Sequence, residues 1–161
     1  MLSVFAELTR RYDINGIHLD YIRYETQSPT PYGYNKISAD TFTKIYGVDP
    51  FTIDRLTSSQ LDWNAYREDL VNTFVHRVSL QTRYLKPDVK ISAAVAPDIL
   101  FARTTLLQNW RHWVANKWID FITPMAYFSD EAKFRNAVKL VTNIVDNKTL
   151  IAPGLGLHLM K

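Results

Sequence analysis

Residues 15–24 read NGIHLDYIRY, and the rest of the chain is arranged around this stretch. Ile17 and Leu19 alternate with His18 and Asp20, which is the period of two that is typical of a β-strand. Strands of parallel sheets are normally near-continuous runs of Val, Ile and Leu, because both of their faces are buried. A carboxylate in such a strand must be paired or hydrogen-bonded, since an isolated buried charge is costly. We interpret Asp20, beside a histidine at the end of a strand, as a residue that takes part in chemistry.

The segments around this strand alternate between helices and strands. Apolar stripes and capping residues predict helices over residues 2–12, 38–47 (with Ser38 as N-cap and Gly47 as the end), 63–85 and 106–116, and from Ser129 or Asp130 onward. Further strands are predicted over residues 89–96, 119–127 and 150–159. This alternation indicates a parallel sheet with right-handed crossovers. The repeat of about 30 residues fits a TIM barrel. A doubly wound nucleotide-binding sheet is disfavoured, because no Gly-x-Gly-x-x-Gly motif follows any predicted strand.

Four strands cannot close an eight-stranded barrel. We therefore predict an α/β fold that is a partial TIM barrel of about four parallel strands, forming a single incomplete domain over residues 1–161. The remainder of the barrel would come from chain segments outside this sequence. The two open edges predict that this chain self-associates when it is expressed alone. Residues 25–62 form a long connection after the first strand, of the length that is typical of functional loops, and we predict an active-site loop there.

The composition argues against several classes of function. A hydrophobic fraction of 47% with 22% charged residues is ordinary for one globular domain. The net charge is only +3 and the basic residues are dispersed, so nucleic acid is not a predicted partner. The absence of cysteine leaves no disulfide framework and no thiolate metal site. No apolar run approaches the roughly 18 residues of a membrane span, and no cofactor is predicted. The many aromatic residues suit a core and also a sugar-binding cleft.

Polar side chains fall at the C-terminal end of each predicted strand, where barrel enzymes build their active sites. They are His18 and Asp20 on the first strand, Asp98 after the second, Tyr127 on the third and His158 on the fourth. Several also have structural interpretations: His18 as a satisfied core histidine, Asp98 as an N-cap, and Tyr127 as a cleft wall. Because residues far apart in sequence share one end of the sheet, we predict a common site.

Asp20 and Asp98 form the predicted catalytic pair. Adjacent strands lie about 4.8 Å apart, so their carboxyl groups would approach the ~5–5.5 Å of a retaining glycosidase or stand wider, as in an inverting one. Glu25 is a reserve candidate. Arg23 follows Asp20 by three residues, and an ion pair between them would hold Asp20 ionised. If Arg23 and Asp20 instead form an ordinary surface ion pair, it would contribute little to stability.

A metal site is the alternative interpretation of the His-x-Asp spacing. Neutral imidazole and carboxylate are both ligands of zinc. His18 and Asp20 would need a third ligand, for which only Asp98 or His158 is available.

Residues 13–24, DINGIHLDYIRY, resemble the signature YDVDGIHLDYIRYP of the glycosyl-hydrolase-like family 10 proteins. Further segments similar to that family follow along the chain: residues 32–35 (YGYN) with Phe42 and Gly47, residues 91–94 (ISAA), and residues 119–127 (IDFITPMAY). The resemblance covers nearly the whole chain.

The resemblance implies a bacterial TIM-barrel protein related to the alpha-amylase clan, with Asp20 as the nucleophile. It implies that the four strands are the fourth to seventh of the barrel. Some members are associated with hydrolysis of peptidoglycan glycan strands, which favours an extracytoplasmic location. Glu25 stands where the family usually has proline, and no Glu closes the second strand, where the clan has its acid. Either Asp98 serves as the acid or the acid lies outside this sequence.

We therefore expect a glycoside hydrolase that acts on a polysaccharide or oligosaccharide. The predicted site has catalytic carboxylates (Asp20 and Asp98), substrate-binding side chains that also orient Asp20 (His18 and Arg23), and tyrosines that line the sugar site (Tyr32, Tyr34 and Tyr127). Two other classes stay open: a non-catalytic glycan-binding barrel, and a metal-dependent hydrolase that uses His18 and Asp20.

Overall fold

A computed structural model describes residues 1–25, 32–54 and 57–159 of the chain. Its helices are α1 (Leu2–Arg11), α2 (Lys36–Tyr46), α3 (Ser58–Leu85), α4 (Ile99–Thr104), α5 (Trp110–Ala115) and α6 (Glu131–Val145). Its strands are β1 (Gly16–Leu19), β2 (Lys90–Val95), β3 (Phe121–Ala126), β4 (Leu150–Ile151) and β5 (Gly154–Leu155). Short 3-10 turns lie at Pro50–Thr52 and Leu157–Leu159.

The strands form a parallel sheet in the order β1-β2-β3-β4, and β5 also pairs with β3. Helices connect the successive strands, as in a βα barrel. The α/β fold with a parallel sheet of partial TIM-barrel type is thus confirmed. The last predicted strand, residues 150–159, is shorter than expected: it consists of two two-residue pieces on either side of residues 152–153, and residue 158 lies in the 3-10 turn after them.

The hydrophobic core lies between one face of the sheet and the helices that cover it. Ile17, Ile91 and Ile122 come from three neighbouring strands and are buried with Trp110 and Val141 in one cluster. Each fully buried side chain of this size stabilises the fold by on the order of 1.5–3 kcal/mol. The helices are therefore held to this face of the sheet, and the other face is left for the candidate site.

An acidic residue closes the amino end of the sheet. One oxygen of Asp120, Oδ2, accepts a hydrogen bond from Ile91 N at 2.8 Å and lies 3.3 Å from Arg83 Nη2 on α3. Its backbone N–H donates to Ile91 O at 2.7 Å. In barrels, residues at this end of the strands serve stability rather than catalysis, so Asp120 has a structural role.

The largest correction concerns residues 106–116, which the apolar pattern predicts as one helix. Of these residues, Trp110–Ala115 form α5, whereas residues 106–109 connect it to α4, a helix outside the predicted range, and turn at Leu107 with φ 51°. Asn109 caps α5, its side chain accepting from His112 N at 3.3 Å. A residue in the left-handed region interrupts the helical path, and a helix cap is a local signal that the apolar pattern does not contain.

Two helix starts also differ from the prediction, while helix ends agree. The N-cap of α2 is Asn35, whose side chain accepts from Ser38 N at 3.0 Å, so Ser38 lies inside the helix. Helix α3 begins at Ser58 rather than at residue 63. The predicted C-terminal Gly47 of α2 is confirmed and has φ 74°, which glycine adopts without strain.

The connection after β1 has its own small aromatic core. Phe42 of α2 is fully buried and packs edge-to-face on Trp63 of α3 at 4.9 Å, and Tyr66 stacks on Trp63 at 5.5 Å. The described part of residues 25–62 is therefore a folded layer on α3 rather than an open loop. Among the described residues, no helix has the combination of length and apolar character needed to cross a membrane.

Candidate active site

His18 and Asp20 lie on the face of the sheet that the helices leave open. Ile17 and Leu19 point into the core and are 6% and 3% exposed, whereas His18 and Asp20 are exposed. The register pairs His18 with Ser92, and His18 Nδ1 lies 2.8 Å from Ser92 Oγ. The alternation predicted for this strand is confirmed, but its second face is exposed in the structure, so the argument from a buried carboxylate does not apply to Asp20 here.

The backbone bends sharply directly after Asp20. Tyr21 has φ 52°, an uncommon value for a residue with a side chain. Asp20 Oδ1 accepts a hydrogen bond from Tyr21 N at 2.7 Å, so the carboxylate braces the bend. Strained residues of this kind cluster at functional sites. The bend fixes one oxygen of Asp20 and turns the chain away from the strand direction.

Arg23 does not pair with Asp20, contrary to the prediction. Its guanidinium lies over the ring of Tyr21 at 4.5 Å, and Nη1 is 4.0 Å from Met125 Sδ on β3. Within the described residues, Asp20 forms no ion pair with a basic side chain. The bend at Tyr21 explains the difference, because it turns the chain between Asp20 and Arg23, and the Arg23 side chain then lies near Met125 of β3.

A cleft of about 500 Å³ opens at the carboxyl ends of β1, β2 and β3. It is lined by the charged residues Arg23, Glu25 and Asp98 and by aromatic rings that include Tyr21 and Tyr127. Tyr21 is 68% exposed and Tyr127 is 49% exposed. Concave sites with aromatic walls and a few placed polar groups are typical of small-molecule binding. Of the predicted site residues, Arg23, Asp98 and Tyr127 line this cleft, whereas His18 and Asp20 are not among its lining residues. Asp20 directly precedes the lining residue Tyr21.

The family described as glycosyl hydrolase-like 10 matches residues 1–157, which is essentially the whole chain. The chain belongs to this family. No curated protein matches the chain. The family membership confirms the resemblance carried by residues 13–24 and gives this chain the fold of a glycan-related, hydrolase-like protein.

In this glycosyl hydrolase-like chain, Asp98 is an N-cap. Its Oδ1 accepts from Phe101 N at 2.9 Å at the start of α4. The last register pair of the two strands is Leu19 and Ala93, so Asp20 lies one residue beyond it and Asp98 lies five residues beyond it. The structural interpretation of Asp98 is thus confirmed, and its place on the cleft leaves the acid role a prediction.

Tyr32 and Tyr34 contact residues of α3 and are not among the residues that line the cleft. The ring of Tyr34 packs on Trp63 at 5.1 Å, and the backbone oxygen of Tyr32 accepts from Arg67 Nη1 at 2.9 Å. Burial lowers the pKa of Arg67, and burial also raises the pKa of the Tyr24 phenol beside it. Tyr32 and Tyr34 thus help to hold the connection after β1 against α3. Their position does not support the predicted contact with a sugar.

Gln108 is a site residue that the sequence pattern did not reveal. It is fully buried, and its side chain accepts from Ala96 N at 2.9 Å and donates to Ala94 O at 3.1 Å and Ile22 O at 3.3 Å. It thereby ties the end of β2 to the segment that carries Arg23. A polar pair, Gln108 and Asn109, inside an apolar run was the signal that could have indicated a break there.

The described residues do not support the interpretation of His18 and Asp20 as part of a metal site. Among residues 1–25, 32–54 and 57–159, no three His, Cys, Asp or Glu side chains come together as a metal-binding group. Asp98 is engaged as a cap, and the side chain of His158 lies outside the described part of the chain. His18 and Asp20 alone do not make a closed zinc site.

Proposed function

We propose that this chain carries part of the active site of a glycoside hydrolase, with Asp20 as its central carboxylate. The substrate would be a bacterial polysaccharide, and peptidoglycan glycan strands are the first candidate. The observation that carries the proposal is the exposed carboxylate at the end of β1, braced by Tyr21 N at 2.7 Å, beside a cleft with exposed aromatic rings. Membership of a glycosyl hydrolase-like family supports the same class of substrate.

In this mechanism Asp20 attacks the anomeric carbon or stabilises the positive charge that develops there. Glycosidic cleavage passes through an oxocarbenium-like transition state, which a carboxylate on one face of the sugar stabilises. The hydrogen bond from Tyr21 N holds one oxygen in place, so the other is left to face the sugar. Tyr127 and Tyr21 would pack against the sugar rings, and Arg23 would bind polar groups of the glycan.

The leaving oxygen also needs a proton donor. Asp98 is the candidate on the cleft, and as an acid it would have to release its hydrogen bond with Phe101 N. Glu25 also borders the cleft and is the reserve candidate. If the full barrel includes further chain segments, they would be the third source of the acid.

The first test compares wild-type and Asp20→Asn protein on denuded peptidoglycan strands and on chitin oligomers. The intact protein is incubated with each glycan, and the product masses are recorded. We expect shortened glycans from wild type, and none from Asp20→Asn. The matched control is Asp88→Asn, an exposed carboxylate just before the amino end of β2, which should leave turnover unchanged. Equal turnover by wild type and Asp20→Asn would refute the role of Asp20.

The second test separates the two roles of Asp98. Asparagine is as good an N-cap as aspartate, whereas alanine costs about 1 kcal/mol of helix stability. If Asp98 is the acid, Asp98→Asn keeps the melting temperature and lowers kcat by about 10²–10⁴-fold. If Asp98→Asn retains full turnover, the acid is supplied by Glu25 or by the rest of the barrel.

A non-catalytic glycan-binding barrel is the second candidate function, because Asp98, the predicted catalytic partner of Asp20, is engaged as a cap. It predicts that glycans bind with equal affinity to wild type and Asp20→Asn and that neither protein shortens them. A titration with chitin oligomers followed by tryptophan fluorescence measures that affinity.

A further inference from the structure

Ser92 lies directly beside His18 on the open face of the sheet. The two residues are register partners on β1 and β2, and Ser92 Oγ is 2.8 Å from His18 Nδ1. Ser92 is 4% exposed, whereas His18 is exposed. An exposed imidazole is thus anchored at one ring nitrogen by a buried hydroxyl.

The burial of Ser92 decides which way this hydrogen bond runs. A buried hydroxyl proton needs an acceptor, and among the described residues His18 Nδ1 is the one partner of Ser92 Oγ. If the hydroxyl donates to Nδ1, a neutral imidazole carries its proton on Nε2. In the opposite tautomer, Nδ1 would donate to Ser92 Oγ, and the hydroxyl proton would be left buried without an acceptor. The first arrangement satisfies both groups.

We propose that Ser92 is a positioning residue that fixes His18 as the Nε2–H tautomer. His18 then presents an N–H donor to a hydroxyl or ring oxygen of the bound glycan. Asp20 directly follows β1, two residues after His18, and is exposed like it, so a sugar held by Nε2–H stands next to the carboxylate. The identity of the ligand rests on the proposed function, whereas the tautomer does not.

The tautomer is measured by nitrogen NMR of the histidine rings in the intact protein, at a pH where the rings are neutral. The chain has four histidines, and the signals of His18 are assigned by their loss in His18→Gln. Wild type is expected to show an unprotonated Nδ1 and a protonated Nε2 at His18. Ser92→Ala is expected to show a mixture of both tautomers, because the bond that selects one of them is gone.

Thr123→Val is the matched control. Thr123 lies on the same face of the sheet, on β3, and its hydroxyl donates to Ala93 O at 3.1 Å rather than to His18. Its loss should leave the His18 signals unchanged. A His18 that is protonated mainly at Nδ1 in wild type, or a Ser92→Ala spectrum identical to wild type, would overturn the proposal.

Glycan kinetics give a second, separable readout. Ser92→Ala should raise the KM for the glycan by about fivefold, the effect of weakening one hydrogen bond, with kcat changed by less than about twofold. Ser92→Thr keeps a hydroxyl and should restore both the tautomer and the KM. If wild type cleaves no glycan, the proposed function fails, and the NMR result still decides the role of Ser92. If wild type and Ser92→Ala have the same KM and the same tautomer, Ser92 has no positioning role and the proposed function stands.

Discussion

Replacing Gln108 by leucine removes a side chain that joins the end of β2 to the segment after β1. Leucine has a similar size, so the change mainly deletes three hydrogen bonds: one from Ala96 N and one each to Ala94 O and Ile22 O. Ala94 and Ala96 are 6% and 5% exposed, so water does not replace their partners. A buried polar group left unpaired costs about 1–3 kcal/mol. Two such groups, offset in part by the apolar gain of leucine, should lower the free energy of unfolding by about 3 kcal/mol.

This loss is measured by urea unfolding followed by tryptophan fluorescence. Trp110 is a suitable probe, since its Nε1 donates to Ala96 O at 3.0 Å beside the deleted contact. The control is Gln81→Leu on α3, where the side chain is only half-buried and a surface-like change within about 0.5 kcal/mol is expected. If Gln108→Leu costs less than about 1 kcal/mol with an unchanged m-value, the three hydrogen bonds do not hold this part of the sheet together, and the assignment of Gln108 is refuted.

Two further predictions concern the connection after β1. Gly33 has φ 91°, and a Cβ there would meet Arg67 Cδ and Tyr24 Cε1 at 2.8 Å each. Gly33→Ala should therefore destabilise the protein by about 2–3 kcal/mol more than Gly47→Ala, whose Cβ meets open space, as measured by urea unfolding of both variants. Equal losses of stability in the two variants would contradict this packing. Burial raises the pKa of the Tyr24 phenol above its ordinary value of 10.0, so the unfolded chain loses this proton first as the pH rises. The free energy of unfolding should therefore fall above about pH 10, and it should fall less steeply in Tyr24→Phe. Parallel pH profiles of the two proteins would show that Tyr24 is not the group responsible.

Several features of the site depend on contacts that no local pattern contains. Arg23 stands three residues from Asp20, yet the positive φ of Tyr21 sends it toward Met125. The sequence predicts Tyr34 at the sugar site, but its ring packs on Trp63 of α3. Its neighbour in the cleft prediction, Tyr127, does line the cleft, since the end of a strand fixes its position.

The sequence by itself determined the elements whose signals are local. The alternation of Ile17 and Leu19 marks β1, Gly47 ends α2, and Asp130 caps the start of α6, because periodicity and capping act within a few residues along the chain. The motif around Asp20 also indicated the family.

Only the tertiary structure decided which polar groups meet. The pairing of Ser92 with His18 depends on the register of two strands more than seventy residues apart. Gln108, directly after the turn at Leu107, finds its partners on β2 and on the segment after β1. Buried hydrogen bonds between distant segments are satisfied only once the sheet has formed, so the chain encodes them without a local pattern.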